Sequence, residues 1–262
     1  MLKENLTKQQ LKKGEVVYGT MVRMIRTPEV IPVLASAGWD YIVVDTEHCA
    51  FDSETLKDLS LVASYEPLTL LVRVPDKHYH QLAQTLDFGA NGLVIPRVET
   101  EAQASVIVES TKYFPLGQRG ASKTSVGARF PECGTLEYLE WANRETLIVV
   151  QIESEMGVEN ADKILAFEGI DAVMIGPFDL SQSMGIPGEM GNQRLKDACR
   201  RVIESCQNNG VAPGIHLQSY EAVERWVDEG MRFVTFQYDM SLLRDRSIEA
   251  LARLRKISSG KR

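Results

Sequence analysis

The sequence predicts an α/β fold, a single (β/α)8 TIM barrel, from two observations. Short runs rich in β-branched residues alternate with longer amphipathic runs, which is the pattern of parallel βα units. Eight such units fit within 262 residues, and a barrel of this type typically has about 250 residues. A doubly wound open sheet is the alternative. It usually has fewer strands at this length, and no Gly-x-Gly-x-x-Gly dinucleotide motif follows the first predicted strand.

Each predicted strand is a short apolar run followed by a helical pattern. The strands are expected at residues 16–20, 41–45, 69–73, 92–95, 147–152, 172–175, 212–216 and 233–238. Helical patterns follow them, for example at 53–65, 101–111 and 222–229. Gly38 and Gly169 stand shortly before strands, where a glycine can end the preceding helix.

The whole chain is expected to form one domain. We predict a barrel domain over residues 1–262, with a short lead-in at 1–14 and a flexible tail at 257–262. One long irregular segment, 115–134, carries several glycines and basic residues. Loops of this length usually have a function, so we expect a lid or a subunit contact there.

Composition excludes several kinds of partner. The 29 basic and 36 acidic residues give a formal net charge of −7, and the resulting field repels nucleic acid and anionic membranes. No apolar stretch approaches the roughly 20 residues that span a bilayer, and residues 1–14 lack the apolar run of a secretory signal. The four cysteines form no Cys-x-x-Cys pair. We therefore expect a soluble, cytoplasmic protein without a nucleic-acid or membrane partner.

Polar residues follow seven of the predicted strands at their C-terminal ends, where TIM barrels carry their catalytic groups. They are Asp45, Glu47 and His48 after the second strand, Arg73, Arg97, Gln151 with Glu153, Asp179, His216, and Gln237 with Tyr238 and Asp239. Random surface charge would be scattered over both ends of the strands. The asymmetry therefore predicts an active site at this mouth of the barrel.

Two of these carboxylates suggest a metal site. Glu153 and Asp179 each follow an apolar strand, and two carboxylates with few histidines nearby favour Mg²⁺ or Mn²⁺. A carboxylate pair of glycosidase type is the alternative, but Arg73 and Arg97 at the same mouth favour an anionic substrate. We interpret Glu47 as part of an ion pair on the rim, and Arg97 fits a rim ion pair or a substrate contact equally well.

Five segments closely resemble the HpcH/HpaI aldolases, a family of metal-dependent (class II) pyruvate aldolases that includes 2,4-dihydroxyhept-2-ene-1,7-dioate aldolases. The segments are GWDYIVVDTEHCAFD at 38–52, LDFGANGLVIPRV at 86–98, QRG at 118–120, QIES at 151–154 and IGPFDLSQSMG at 175–185. The resemblance covers nearly the whole chain. It implies a barrel of the phosphoenolpyruvate/pyruvate superfamily, a carbon–carbon lyase that reversibly cleaves a 4-hydroxy-2-oxo acid to pyruvate and an aldehyde, and a homo-oligomer, expected to be a hexamer.

The resemblance also implies how pyruvate is held. Glu153 and Asp179 would bind Mg²⁺ or Mn²⁺, with Co²⁺ possible, and pyruvate would chelate the ion through its ketone and carboxylate oxygens. Arg73 would stabilise the developing enolate, and Gln151 would place the substrate. The backbone N–H groups of Phe178 and Asp179 would bind the carboxylate, as a helix N-terminus can.

The same resemblance implies the proton-transfer groups. His48 would be the acid/base residue, working with a metal-bound water. Asp45 and Asp87 would orient it, with Asp87 supplied by a neighbouring subunit. No lysine lies near the predicted strand ends, so a Schiff-base mechanism has no obvious nucleophile.

Strand eight departs from the pattern of relatives that cleave long dioic acids, because it ends in bulky residues. Side chains alternate along a strand, so either Gln237 alone or the pair Phe236 and Tyr238 is expected to face the interior. If the pair faces inward beside His216, it would favour short or hydroxylated aldehydes.

Two other functions compete with the aldolase prediction. An acyl-CoA lyase like citrate lyase or malyl-CoA lyase needs a basic surface for the CoA phosphates, and we find no such cluster in the sequence. A non-catalytic oxo-acid-binding barrel would be expected to lack Arg73, His48 or a metal ligand, and all are present.

Overall fold

Eight parallel strands form a closed barrel in the computed structural model, which describes residues 2–122 and 132–259. The strands follow one another in sequence order around the barrel, and β8 pairs with β1. They are β1 Val17–Val22, β2 Tyr41–Asp45, β3 Thr69–Arg73, β4 Gly92–Ile95, β5 Leu147–Ile152, β6 Ala172–Ile175, β7 Gly214–Leu217 and β8 Phe233–Tyr238. The predicted (β/α)8 fold is confirmed.

Twelve helices are found in the described part of the chain. They are α1 Leu6–Lys12, α2 Val30–Ser36, α3 Ser53–Ala63, α4 Tyr79–Asp87, α5 Glu101–Thr111, α6 Thr135–Glu145, α7 Glu155–Glu159, α8 Ala161–Leu165, α9 Pro177–Ser183, α10 Gln193–Asn209, α11 Tyr220–Asp228 and α12 Asp239–Ser259. Among these residues, no helix is both long and apolar enough to cross a membrane.

The strands are apolar runs because both of their faces are buried. β2, β3 and β4 are buried at every position. One face fills the barrel, where the ring of Tyr41 stacks on Phe233 with centroids 4.3 Å apart. The other face packs against the helices. Gly19 is needed opposite Tyr41, because a Cβ there would lie 2.3 Å from the tyrosine ring.

The predicted lead-in 1–14 contains α1, which packs across the N-terminal end of the barrel. Lys8 Nζ lies 2.9 Å from Asp171 Oδ1 and donates to the carbonyl of Thr146 at 2.8 Å. Thr7 Oγ1 donates to Thr69 Oγ1 at 2.8 Å. These contacts join α1 to the starts of β3, β5 and β6, so the C-terminal end of the barrel is its open mouth.

Two predicted segments are only partly described. The predicted lid or subunit contact at 115–134 includes residues 123–131, which lie outside the described residues. The first residues of the flexible tail predicted at 257–262 belong to α12, which extends to Ser259, and residues 260–262 are outside the described range. The flexibility of this tail stays a prediction.

Candidate active site

Asp45 and Arg73 lie side by side where β2 and β3 end, as their strand register pairs them. Arg73 Nε donates to Asp45 Oδ1 at 3.0 Å, and Nη2 donates to Oδ2 at 2.7 Å. Burial opposes ionisation of Asp45, but the hydrogen bonds and charge of Arg73 outweigh it and lower the pKa of this carboxyl. Such a bidentate pair holds the guanidinium plane in one orientation. Arg73 is therefore a fixed cation at the mouth.

Glu47 belongs to this cluster rather than to the rim. Its side chain is 7% exposed, and its Oε2 lies 3.3 Å from Arg73 Nη1. The other oxygen, Oε1, lies 3.4 Å from Nη2 of the exposed Arg97 side chain. The interpretation of Glu47 as an ion-pair partner is correct for Arg97, but the more important contact is the buried one with Arg73.

Glu153 is held by neighbours on both sides. Gln151 Nε2 donates to Glu153 Oε2, and the backbone N–H of Arg97 donates to Oε1 at 2.9 Å. Arg97 has a φ of 53°, which is uncommon for a residue other than glycine, and in this conformation its main chain reaches the carboxylate. Burial, together with the charges of Asp179 and Glu47, raises the pKa of Glu153 to about 7.

The turn after β6 brings Asp179 to the same place. Gly176 lies against Glu153 and is followed by α9, whose first residue is Pro177. The first N–H groups of a helix have no acceptor within it, so those of Phe178 and Asp179 are available to a ligand. Asp179 Oδ1 accepts from Gln182 Nε2 at 3.1 Å, and both Phe178 and Asp179 are exposed.

Residues 24–245 match the family model described as HpcH/HpaI aldolase/citrate lyase. The chain belongs to the HpcH/HpaI aldolase/citrate lyase family. The predicted family and enzyme class, a carbon–carbon lyase that acts on a small molecule, are confirmed.

Several relatives of this HpcH/HpaI protein match over almost their full length. It is 35% identical over 255 residues to a hydroxypyruvate/pyruvate aldolase of Delftia acidovorans, covering 97% of this chain and 94% of that protein. It is 34% identical over 254 residues to a 4-hydroxy-2-oxo-heptane-1,7-dioate aldolase of Escherichia coli, covering 95% and 94%. The crystal structure of an HpcH/HpaI aldolase from Desulfitobacterium hafniense superposes with a TM-score of 0.89 at 31% identity, covering 94% and 95%.

His48 stands at the edge of the family member's site, and its side chain is 45% exposed. The ring atom Nε2 lies 3.8 Å from Glu47 Oε2. Asp45, predicted to orient the ring, contacts the main chain of His48, whose N–H donates to Asp45 Oδ1 at 3.3 Å. An effect of Asp45 on the orientation of the ring stays a prediction.

Asp87 does not join the other predicted site residues within one chain. It ends α4, which runs from the mouth back to the start of β4, so Asp87 lies at the other end of the barrel. Its Oδ1 accepts from Arg119 Nη2 at 2.6 Å. The contribution of Asp87 to the site of a neighbouring subunit stays a prediction.

The end of β8 differs from the prediction that Gln237 alone or the pair Phe236 and Tyr238 faces inward. Phe236 packs outward, with its ring centroid 4.8 Å from that of Tyr220, whereas Tyr238 packs against the interior cluster. The pairing with β1 shifts between Gly19 and Met21, and Gln237 has a φ of 52°. This irregularity breaks the simple alternation, so Tyr238 faces inward without Phe236.

His216 and a cavity complete the mouth. The cavity, of about 370 Å³, runs from Arg73, Gln151 and Asp179 past His216 to Trp226 on α11, which is large enough for a small metabolite. Burial lowers the pKa of His216 to about 4, so its imidazole is neutral near pH 7 and can offer one donor and one acceptor.

One residue of the mouth, Arg23, was missed by the sequence analysis. The first strand was predicted to end at Thr20, but β1 continues to Val22, so Arg23 is the residue that follows the strand. Its Nε lies 3.1 Å from Asp45 Oδ2. The buried apolar pair Met21 and Val22 was the sequence signal that could have revealed the longer strand.

Proposed function

We propose that this protein catalyses the metal-dependent, reversible aldol cleavage of a 4-hydroxy-2-oxo acid to pyruvate and an aldehyde. One observation carries the proposal. Arg73, which is paired with Asp45, and Asp179 border one cavity, and Glu153 lies close enough to Asp179 for the charge of Asp179 to raise its pKa. The guanidinium can stabilise an oxyanion directly, and the two carboxylates can do so by holding a cation. The aldolase names of the two curated relatives support the same reaction class.

The donor atoms fit a hard divalent cation. Burial and the charges of Asp179 and Glu47 raise the pKa of Glu153, so a cation bound there would stabilise its ionised form. Gln151 Oε1 is buried without a hydrogen-bond partner among the described residues. Within the same residues, no cluster of three or more His, Cys, Asp or Glu side chains could hold a metal. An ion held by the two carboxylates of Glu153 and Asp179 would keep open positions for water and substrate, as Mg²⁺ commonly does.

We assign the ion as Mg²⁺ or Mn²⁺, with Co²⁺ as a further possibility, because the proposed protein ligands are oxygens. When bound, the ion supplies a Lewis acid that polarises the ketone of the 2-oxo acid. The chain's own groups do the rest. The N–H groups of Phe178 and Asp179 bind the substrate carboxylate, and Gln151 limits the orientations of the ketone.

Arg73 stabilises the charge that develops during cleavage. As the C3–C4 bond breaks, its electron pair becomes the enolate of pyruvate, and the guanidinium donates to the enolate oxygen. Because Asp45 and Glu47 already fix Arg73, little reorganisation is needed when the charge appears.

His48 moves the proton in this scheme. In the cleavage direction Nε2 accepts the proton of the C4 hydroxyl, and in the condensation direction it returns that proton to the new alkoxide. The exposed position of the ring above Glu47 suits exchange with a substrate that enters through the mouth. Asp45 contributes by holding the main chain of His48.

A homo-oligomer, most simply a hexamer, is part of the proposal, because Asp87 would reach the site of a neighbouring subunit. Support comes from α12, where Ile248, Leu251 and Ile257 are 55%, 48% and 62% exposed. Apolar side chains spaced along one helix in this way often mark a contact between subunits. We also place the protein in the reducing cytoplasm, with its buried thiols Cys199 and Cys206 unpaired.

The deciding experiment is an aldehyde panel with pyruvate, run on protein treated with EDTA and then resupplied with Mg²⁺ or Mn²⁺. Condensation that disappears with the chelator and returns with either ion supports the proposal. Undiminished condensation after exhaustive chelation, or no condensation with any aldehyde and either ion, contradicts it. Light scattering on the active protein tests the oligomer, and an active monomer would contradict a shared site.

A further inference from the structure

Arg23 is a cation at the mouth that the proposed mechanism does not use. It follows β1, which lies across the closed barrel from β5 and its Glu153. Tyr238 ends β8, which pairs with β1, and His216 lies on β7, the strand after that in the barrel. This side of the mouth lies opposite the strand that carries Glu153, so it is open to the second half of an aldol substrate.

The main chain of Arg23 is fixed by an acidic residue at the end of β8. Asp239 Oδ2 accepts from the backbone N–H groups of Arg23, Met24 and Ile25 at 3.2, 2.9 and 2.9 Å. Asp239 is 5% exposed. Three hydrogen bonds to one buried carboxylate oxygen hold the start of the loop after β1, so the base of the Arg23 side chain has a defined position.

The Arg23 side chain is positioned but not fully bound. Its guanidinium carbon lies 5.2 Å from the centroid of the Tyr238 ring, a distance suited to a cation–π contact, and its Nε lies near Asp45. Among the described residues, neither Nη1 nor Nη2 donates a hydrogen bond to the protein. The side chain is 31% exposed, so these two nitrogens remain accessible to a ligand.

Arg23 shares its ion-pair partner with a second guanidinium. Three guanidinium groups, those of Arg23, Arg73 and Arg97, share the two carboxylates of Asp45 and Glu47. Asp45 Oδ2 is the contact of both Arg23 and Arg73, and Arg73 is the closer at 2.7 Å against 3.1 Å. An anionic ligand would give the guanidinium of Arg23 an acceptor that it does not share with Arg73.

We propose that Arg23 determines specificity by binding a carboxylate on the aldehyde half of the substrate. This inference rests on the proposed aldolase function. Two parallel N–H groups of a guanidinium match the two oxygens of a carboxylate, and Nη1 and Nη2 are the nitrogens without protein acceptors. The ring of Tyr238 lies beside the Arg23 guanidinium, so it limits the length of an aldehyde that binds there. The preferred partner of pyruvate is therefore a short aldehyde acid, for which glyoxylate is the probe.

The test compares glyoxylate with glycolaldehyde, a neutral aldehyde that also has two carbons. The variants are Arg23→Gln and Arg23→Lys, with Arg26→Gln as the matched control, because Arg26 is exposed on the same loop. With saturating pyruvate, Arg23→Gln should lower kcat/KM for glyoxylate about 10- to 100-fold, the usual size for losing a hydrogen bond to a charged group. Most of the change should be in KM. The kcat/KM for glycolaldehyde should change by less than about threefold. For glyoxylate, the kcat/KM of Arg23→Lys should lie between those of the wild type and Arg23→Gln.

Two results would overturn the inference. Equal losses for both aldehydes would mean that Arg23 only positions Asp45 and Arg73, and no loss for either would mean that it has no role in substrate binding. Metal-dependent deuterium exchange at the pyruvate methyl group, measured in the same samples, separates this inference from the proposed function. If the wild-type protein exchanges deuterium into pyruvate but does not prefer glyoxylate, only the role of Arg23 is contradicted. If the wild-type protein shows neither exchange nor condensation, the aldolase proposal itself is contradicted.

Discussion

Gly176 and Glu153 approach so closely that no side chain fits between them. A Cβ on Gly176 would lie 2.6 Å from Glu153 Oε2 and 2.9 Å from Gln151 Nε2. The end of β6 thus leaves room for the carboxylate at the end of β5, and the neighbouring turn brings Asp179 towards it. Glu153 is a buried acid with acidic neighbours, an arrangement that a bound cation would stabilise.

Loss of either proposed metal ligand should abolish turnover. Glu153→Gln and Asp179→Asn keep the side-chain shapes but remove the charges that attract a cation. We expect no measurable condensation from either variant, and a metal-induced rise in melting temperature only in the wild type, because ligands stabilise the state that binds them. Asp162→Asn, an exposed change on α8, is the matched control. Full activity in Glu153→Gln would rule out this metal assignment.

The metal-free protein should lose stability as pH rises through the range in which Glu153 titrates. Its usual pKa is 4.5, and burial with two acidic neighbours raises the pKa to about 7. The folded state therefore binds more protons than the unfolded state between these values, so stability falls as pH increases. The free energy of unfolding, measured with urea at pH 5 and pH 8, should decrease more between the two pH values in the wild type than in Glu153→Gln. Equal losses in the two proteins would contradict the raised pKa.

Arg73 should not be replaceable by lysine. Its guanidinium makes two hydrogen bonds to Asp45 while Nη1 faces Glu47, and a lysine cannot reproduce this planar arrangement. Removing one donor of this kind typically lowers kcat by a factor of about 10²–10³. We expect kcat to decrease by a factor in this range in both Arg73→Lys and Arg73→Ala. Near-native kcat in the lysine variant would reassign Arg73 to simple attraction of the anionic substrate.

His48→Ala should lower cleavage by about 10²–10⁴, the usual contribution of general acid–base catalysis. Proton exchange at the pyruvate methyl should fall less, because that step does not involve the C4 hydroxyl. His80→Ala, at an exposed position on α4, is the control. If exchange and cleavage fell equally, His48 would have to act on the pyruvate half instead.

The strand pattern was predictable because both faces of each strand are buried. β2 through β6 and β8 have the predicted bounds, since turns and glycines interrupt their apolar runs clearly. β1 and β7 were misplaced by one or two residues. That small error hid Arg23, because a residue counts as a strand-end group only if the end is placed correctly.

Side-chain contacts at the mouth were less predictable than the strands. Strand order places Asp45 beside Arg73. It does not show whether the Asp45 carboxylate contacts the Arg73 guanidinium or the His48 ring, because that depends on the length and conformation of each side chain. The left-handed conformation of Gln237 has no sequence signal, because residues other than glycine adopt it only when their surroundings impose it.

The last prediction concerns Tyr238, which faces the barrel interior while Phe236 packs outward on Tyr220. If Tyr238 limits the length of the aldehyde, Tyr238→Ala should raise kcat/KM for long aldehydes relative to short ones and leave pyruvate binding unchanged. Neutral aldehydes of increasing length should be used, because Tyr238 also contacts Arg23 and a charged series would mix two effects.

Phe236→Ala provides the control for this prediction. Phe236 is 6% exposed, so its loss should destabilise the fold by about 3–5 kcal/mol without changing the ranking of aldehydes, because its ring is outside the mouth. A changed ranking in Phe236→Ala with none in Tyr238→Ala would mean that Phe236, and not Tyr238, limits the length of the aldehyde. An unchanged ranking in both variants would show that the end of β8 does not set specificity and that the cavity leading to Trp226 should be tested next.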